Sequence, residues 1–225
     1  MHFEGEETMK LIFFGATGMV GAGALQEALN SPDVEAVLSI GRRKSGVSHS
    51  KLCELEMKDL SDLSGVEEKL KGYDGCIWAI GITSMGMEEA EYARVTEELT
   101  LLWARELLRL NPEISFCYCS AAGAGGNMMW ARVRQRVEAA LQGMPFKHAG
   151  AVRPGFIRPE AGIRSRVKAY QAMITLFRPV FPICLRLFPG GFTTGERLGR
   201  AMLRVTQGKA DRFILESVDI NRVGA

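Results

Sequence analysis

Gly15-Ala16-Thr17-Gly18-Met19-Val20-Gly21 sets three glycines at a spacing that lets a chain close around a phosphate. The apolar run Lys10–Phe14 precedes it and a helix-patterned segment, Met19–Leu29, follows. Each glycine has a separate task in such a strand–turn–helix unit. Gly15 permits the tight reversal after the strand, Gly18 leaves room for a pyrophosphate to approach the backbone, and Gly21 lets the helix seat closely. The open N–H groups and positive dipole end of that helix then face the phosphates. Spacing alone would carry little weight in a chain with 25 glycines. The strand before and the helix after make it a dinucleotide site.

A carboxylate at the end of the second strand would bind both ribose hydroxyls and favour NAD. That strand ends instead in Ile40-Gly41-Arg42-Arg43-Lys44. Glu35 has the usual sequence spacing from the first glycine but sits at the strand's start. Guanidinium groups at the strand end suit a dianionic 2′-phosphate through charge-assisted hydrogen bonds. NADP(H) is therefore the expected cofactor, with NAD as the alternative. Asp59-Leu60, just after the third strand, falls where folds of this kind contact the adenine, Asp59 accepting from the exocyclic amine. A lone Asp in a turn also serves as a cap. Ala79, Ile80 and Gly81, closing the fourth strand, complete the expected cofactor contacts on this side.

The elements that must position these residues alternate almost to the end. Strand-like runs cover Lys10–Phe14, Glu35–Ile40, Leu52–Glu56, Gly75–Ile80, Ser115–Cys119 and Phe146–Val152. Helical patterns cover Met19–Leu29, Leu63–Lys71, Met87–Leu110 and about Met128–Gln142, the third ending at Asn111-Pro112. Short strands separated by helices predict an α/β fold: a Rossmann-type doubly wound parallel sheet flanked by helices. With right-handed crossovers its order should be 3-2-1-4-5-6. Residues 1–225 read as one nucleotide-binding domain. Residues 1–9 form a loose tail, and about 156–195, richer in Pro and Arg, form a small substrate-side cap.

Bulk properties narrow the setting. Hydrophobic residues make up 47% and charged residues 24% of the chain, as in ordinary globular proteins, and the net charge is +2. From Ala151 onward about thirteen Lys and Arg stand against five Asp and Glu. No aromatic-interleaved basic stripe accompanies them, so an anion-binding or solvated face is expected and nucleic acid is not. Cys53, Cys76, Cys117, Cys119 and Cys184 form no C-x-x-C pair and have no histidine partner at metal spacing, so no metal is expected. With no signal peptide, the protein reads as reduced and cytoplasmic. Cys117 and Cys119 share one face of a strand as small core residues. The apolar stretch Ala172–Phe188 is broken by Arg178, Pro179, Pro182 and Arg186. Region 164–188 is expected to cap a pocket instead of touching a membrane surface. The partner is a small-molecule substrate or a protein, and association into a homo-oligomer is left open.

Together these features resemble the atypical short-chain dehydrogenase/reductase superfamily. The resemblance runs from about residue 10 to residue 157. It rests on the glycine motif, Gly41-Arg42-Arg43, Asp59-Leu60, Cys119-Ser120-Ala121 and Arg153-Pro154-Gly155. Within the superfamily the chain is most similar to the small NAD(P)-binding epimerase-like and Tat-interacting-protein-like members. The resemblance implies further cofactor contacts from Pro154 and Gly155. It also implies a Ser at the end of strand five, matched by Ser120, and a Tyr-x-x-x-Lys pair on the following helix. Here Trp130 stands at the Tyr position and Arg134 at the Lys position. Four residues apart, they share a helix face. An indole N–H donates a hydrogen bond but is no usable acid. Arg134 retains the positive charge and the capacity to bind ribose hydroxyls, without the proton relay of a lysine. Two functions follow as alternatives. One is an NADP(H)-dependent oxidoreductase or isomerase built on Ser120, Trp130 and Arg134; the other is a non-catalytic NADP(H)-sensing regulator.

Overall fold

Alternate residues of the first strand serve opposite sides of the molecule. In β1 (Met9–Phe14), Leu11 and Phe13 enter one core while Ile12 and Phe14 enter another. A parallel strand covered by helices on both faces needs apolar residues at every position, so the run shows no polar alternation. The computed structural model describes residues 8–158, 181–188 and 190–225. Residues 1–7 of the expected tail and residues 159–180 and 189 of the expected cap lie outside them, while Met9 already belongs to β1.

Seven parallel strands form the sheet. Their spatial order is β3 (Leu52–Glu56), β2 (Val34–Gly41), β1, β4 (Gly75–Trp78), β5 (Ser115–Cys119), β6 (Ala149–Arg153) and β9 (Ile214–Glu216). The predicted order 3-2-1-4-5-6 is thus observed, with one strand more at the β6 edge. The direction of winding reverses between β1 and β4, where doubly wound sheets open a crevice at their carboxyl ends.

Helices α1 (Met19–Asn30) and α6 (Gly195–Thr206) cover one face. They approach closely: a side chain added at Gly199 would meet the Ala24 backbone at 2.9 Å. The other face carries α3 (Leu99–Leu110) and α4 (Met129–Gln142). Ahead of α3 run α2 (Glu89–Ala93) and a π-helical turn, Arg94–Glu98, together matching the long helix expected from Met87 to Leu110. Cys117 and Cys119 are buried in the same core, as expected.

Two expectations need correction. Leu63–Lys71 is not an α-helix; only a 3₁₀ turn forms, at Glu67–Leu70. The side chains of Asp59 and Asp62 accept the backbone N–H groups of Ser61 and Ser64, at 2.8 and 3.0 Å, and Gly65 has φ +73°. These local turns compete with the helix ladder. The second correction is C-terminal. Beyond β6 the chain forms β7 (Phe156–Arg158), α5 (Phe181–Leu187) and β8 (Phe192–Thr194) before α6. It then forms β9 and α7 (Ser217–Val223). β7 and β8 pair in parallel as a separate two-stranded sheet, beside the clustered rings of Phe156, Phe181 and Phe192.

Candidate functional site

The turn between β1 and α1 is shaped by backbone contacts that exclude side chains. Gly15 has φ +84°, and a Cβ there would lie 2.4 Å from the Ala79 carbonyl oxygen. A Cβ at Gly21 would lie 2.0 Å from the carbonyl oxygen of Gly15. At Gly18 the same test gives 3.3 Å to that oxygen, a much looser fit. Gly15 and Gly21 therefore close the turn itself, while Gly18 keeps its outer surface bare. Helix α1 begins at Gly18 with no side-chain cap and no acidic residue in its first turn. Its open amides and dipole end favour an anion there.

A cleft of about 1540 Å³ opens over this turn. It gathers Gly15, Ala16, Thr17, Gly18 and Met19 with Arg42 and Arg43 from the end of β2. Asp59 and Leu60 join from the turn after β3, and Ala79, Ile80 and Gly81 from the end of β4. Most residues expected to bind the cofactor thus meet around one space. Val20 and Gly21 instead lie within the first turn of α1. Glu35 sits at the opposite end of β2, 3.6 Å from Lys10, too remote to serve a ribose. Arg42 and Arg43 are exposed, with no ion pair or hydrogen bond among the described residues. Asp59 is engaged in its own turn: one oxygen accepts from the backbone N–H and the hydroxyl of Ser61, at 2.8 and 2.7 Å. Those two hydrogen bonds hold its carboxyl below the usual range.

The remaining site residues stand at the ends of β5 and β6 and on α4. Ser120 is 4% exposed, and its hydroxyl has no partner among the described residues. A buried hydroxyl left unsatisfied is costly, and a bound ligand would relieve it. Arg134 is 8% exposed and bridges two elements. Its Nε donates to the Tyr92 hydroxyl and one terminal nitrogen to the Cys119 carbonyl, each at 3.1 Å. The other terminal nitrogen lies against Gly81, 3.6 Å from where a Cβ would stand. The guanidinium therefore joins α2, the end of β5 and the loop that follows β4. Trp130 turns its ring over Gly123 in the loop after Ser120, where a Cβ would meet the ring at 3.4 Å. Burial pushes the Cys119 thiol up to about 11 despite the nearby Arg134, so it is a poor nucleophile at neutral pH.

Arg153-Pro154-Gly155 joins structural elements. Arg153 donates to Glu138 of α4 at 2.9 Å and to Glu216 of β9 at 3.0 Å. The Pro154 carbonyl accepts from Ala122, and the Gly155 N–H donates to the Ser217 hydroxyl at 2.8 Å. A side chain at Gly155 would strike the Gly191 carbonyl. The sequence reading missed the far wall of the cleft. Arg94, Glu98, Leu101, Leu102 and Arg105 line it from the π turn and α3. Their three-to-four spacing was visible, but the core pattern of the same helix masked it.

Comparison with known proteins agrees with this architecture. No protein-family model matches the chain. A stretch of 118 residues is 33% identical to leucinostatins biosynthesis cluster protein T of Purpureocillium lilacinum. It covers 51% of this chain and 44% of that protein, so less than half of the relative's length is matched. Solved structures match over nearly the whole chain. A short-chain dehydrogenase/reductase family oxidoreductase from Burkholderia thailandensis superposes with a TM-score of 0.69 and 14% identity, over 96% of this chain and 94% of that one. A UDP-N-acetylglucosamine 4-epimerase from Methanobrevibacter ruminantium gives 0.69 and 14%, over 93% and 76%. A tyrosine-to-phenylalanine variant of ElxO with NADPH bound gives 0.70 and 12%, over 96% and 99%. At these identities the likeness is one of fold: the chain has the Rossmann-type fold of short-chain dehydrogenases, reductases and epimerases. Among the described residues, no helix is long and apolar enough to cross a membrane.

Proposed function

We propose that this is an atypical short-chain dehydrogenase/reductase-like enzyme, allied to the small epimerase-like and Tat-interacting-protein-like members. It would act as an NADP(H)-dependent oxidoreductase or isomerase on a small substrate. The observation that carries this reading is the buried, unpartnered Ser120 hydroxyl, on the residue after the Cys119 carbonyl that Arg134 binds. When bound, the cofactor would supply hydride transfer. Gly15–Gly18 and the first turn of α1 would hold its pyrophosphate, and Arg42 and Arg43 its 2′-phosphate. Ser120 would donate to a substrate oxygen, while Arg134 would keep a fixed positive charge at the end of β5. The indole at position 130 is no general acid, a loss worth about 10²–10⁴ in rate, so turnover should be slow. The partial relative named for a biosynthetic cluster is in keeping with an enzyme.

NADPH oxidation with a panel of aldehydes and quinones, in wild type and Ser120→Ala, is the test. Slow turnover that falls at least about tenfold in the variant is expected. Equal rates in the two proteins would remove Ser120 from the site. A second reading, a non-catalytic NADP(H)-sensing regulator, is favoured by the Trp130 ring covering Gly123. It gains if the wild type binds NADPH but neither it nor Trp130→Tyr with Arg134→Lys turns over any of the panel.

A further inference from the structure

The helix walling the cleft presents Arg94, Glu98, Leu101, Leu102 and Arg105 along one stripe. Facing it stand Arg42 and Arg43 at the end of β2, with Lys58 on the turn after β3. The charges of this lining are unequally satisfied. Arg136 is held by Glu89 and Glu97. Arg109, one turn beyond Arg105, is held by Glu67 and Glu106. Arg105, Lys58, Arg42 and Arg43 have no ion pair or hydrogen bond among the described residues.

Arg105 and Lys58 also belong to one junction. The Trp103 indole N–H donates to the Leu60 carbonyl at 2.7 Å, fastening α3 to the turn that carries Lys58. Arg94 also has no partner among the described residues, but stands eleven residues away, about 16 Å along the helix. Of the carboxylates lining the cleft, Asp59 is engaged by Ser61 and Glu97 by Arg136, while Glu98 lies two turns from Arg105. Positive charge is therefore concentrated on both walls of the end of the cleft where β2 terminates. Like charges held unpaired across a cleft repel until an anion enters between them.

Resting on the NADP(H) reading above, we infer that Arg105 forms a second cationic wall opposite Arg42, Arg43 and Lys58. The 2′-phosphate is held from both sides, and Arg105 of α3 is a specificity-determining residue. A dianion between two walls is discriminated from a ribose hydroxyl more strongly than by one wall alone, because every cation gains only with the phosphate present.

Calorimetric titration of NADPH and NADH into wild type, Arg105→Ala and Lys58→Ala tests this. Both side chains are exposed and have no partner among the described residues, so the variants should melt with the wild type. Arg105→Ala should weaken NADPH about tenfold and leave NADH within about twofold, with Lys58→Ala acting in the same direction. Equal weakening of both cofactors would mean a general field of the cleft and would overturn the inference. Selective wild-type binding that neither variant alters would overturn the inference alone. A wild type that binds NADPH no better than NADH would overturn the NADP(H) reading and this inference with it.

Discussion

At the scale of single residues, burial separates the side chains that hold the site from those left open to a ligand. Arg153 opens the Arg153-Pro154-Gly155 run, and its guanidinium is consumed by Glu138 and Glu216. Glu138 is almost wholly buried, one turn beyond Arg134 on α4. Removing one member of a buried pair leaves the other charge stranded, which costs about 3–5 kcal/mol. Arg153→Ala, which strands the buried Glu138 carboxylate, should therefore lower unfolding free energy by about that amount in urea titration. A loss below about 1 kcal/mol would place the pair among weak surface bridges. Three arginines of the cleft are the counter-case: Arg42, Arg43 and Arg105 reach no carboxylate among the described residues, and their charge stays available there.

At the scale of elements, glycines decide how closely helices and turns approach. The face covered by α1 and α6 depends on it, because Gly23 and Ala24 lie against Gly195 and Gly199 with little intervening side chain. Gly199→Leu would drive the helices apart, and overpacking of this kind costs about 1–3 kcal/mol. The glycine turn separates two effects. Gly21→Ala, with a Cβ 2.0 Å from a carbonyl oxygen, should destabilise the fold. Gly18→Val should leave the fold largely intact and abolish the shift in NADPH fluorescence, since its side chain would occupy the space proposed for the pyrophosphate. Thermal melts and fluorescence titrations of the three variants check this. A Gly18→Val protein that binds NADPH normally would contradict the phosphate site.

At the scale of the whole molecule, the last strand and helix complete the sheet. β9 pairs with β6, Glu216 meets Arg153, and Ser217 accepts from Gly155. Leu215 and Ile220 enter the same core as α1 and α6. Stopping the chain after Phe213 would open the β6 edge and strand those groups. The shortened protein should be recovered insoluble, or melt without a cooperative transition in near-ultraviolet circular dichroism. A soluble product with an undiminished, cooperative melt would show that the closing strand is dispensable.

What the sequence determined by itself was whatever local chemistry dictates. Lys10–Phe14 and the three glycines specify strand, turn and helix through sterics and apolar pattern. Alternating elements then leave few windings open, so the sheet order 3-2-1-4-5-6 was legible in the sequence. The end of β2 announced its positive charge in Gly41-Arg42-Arg43. Tertiary structure alone decided which polar residues find partners, because that depends on neighbours distant in the chain. Asp59 is taken by Ser61 in its own turn, Arg153 by Glu138 and Glu216, and Arg134 by Tyr92, forty-two positions away. The three-residue strands β7, β8 and β9 are too short to show a period, and they exist through pairing and packing. The far wall of the cleft was hidden for a related reason. One helix carries both a core stripe and a cleft stripe, and only its placement against the sheet tells them apart.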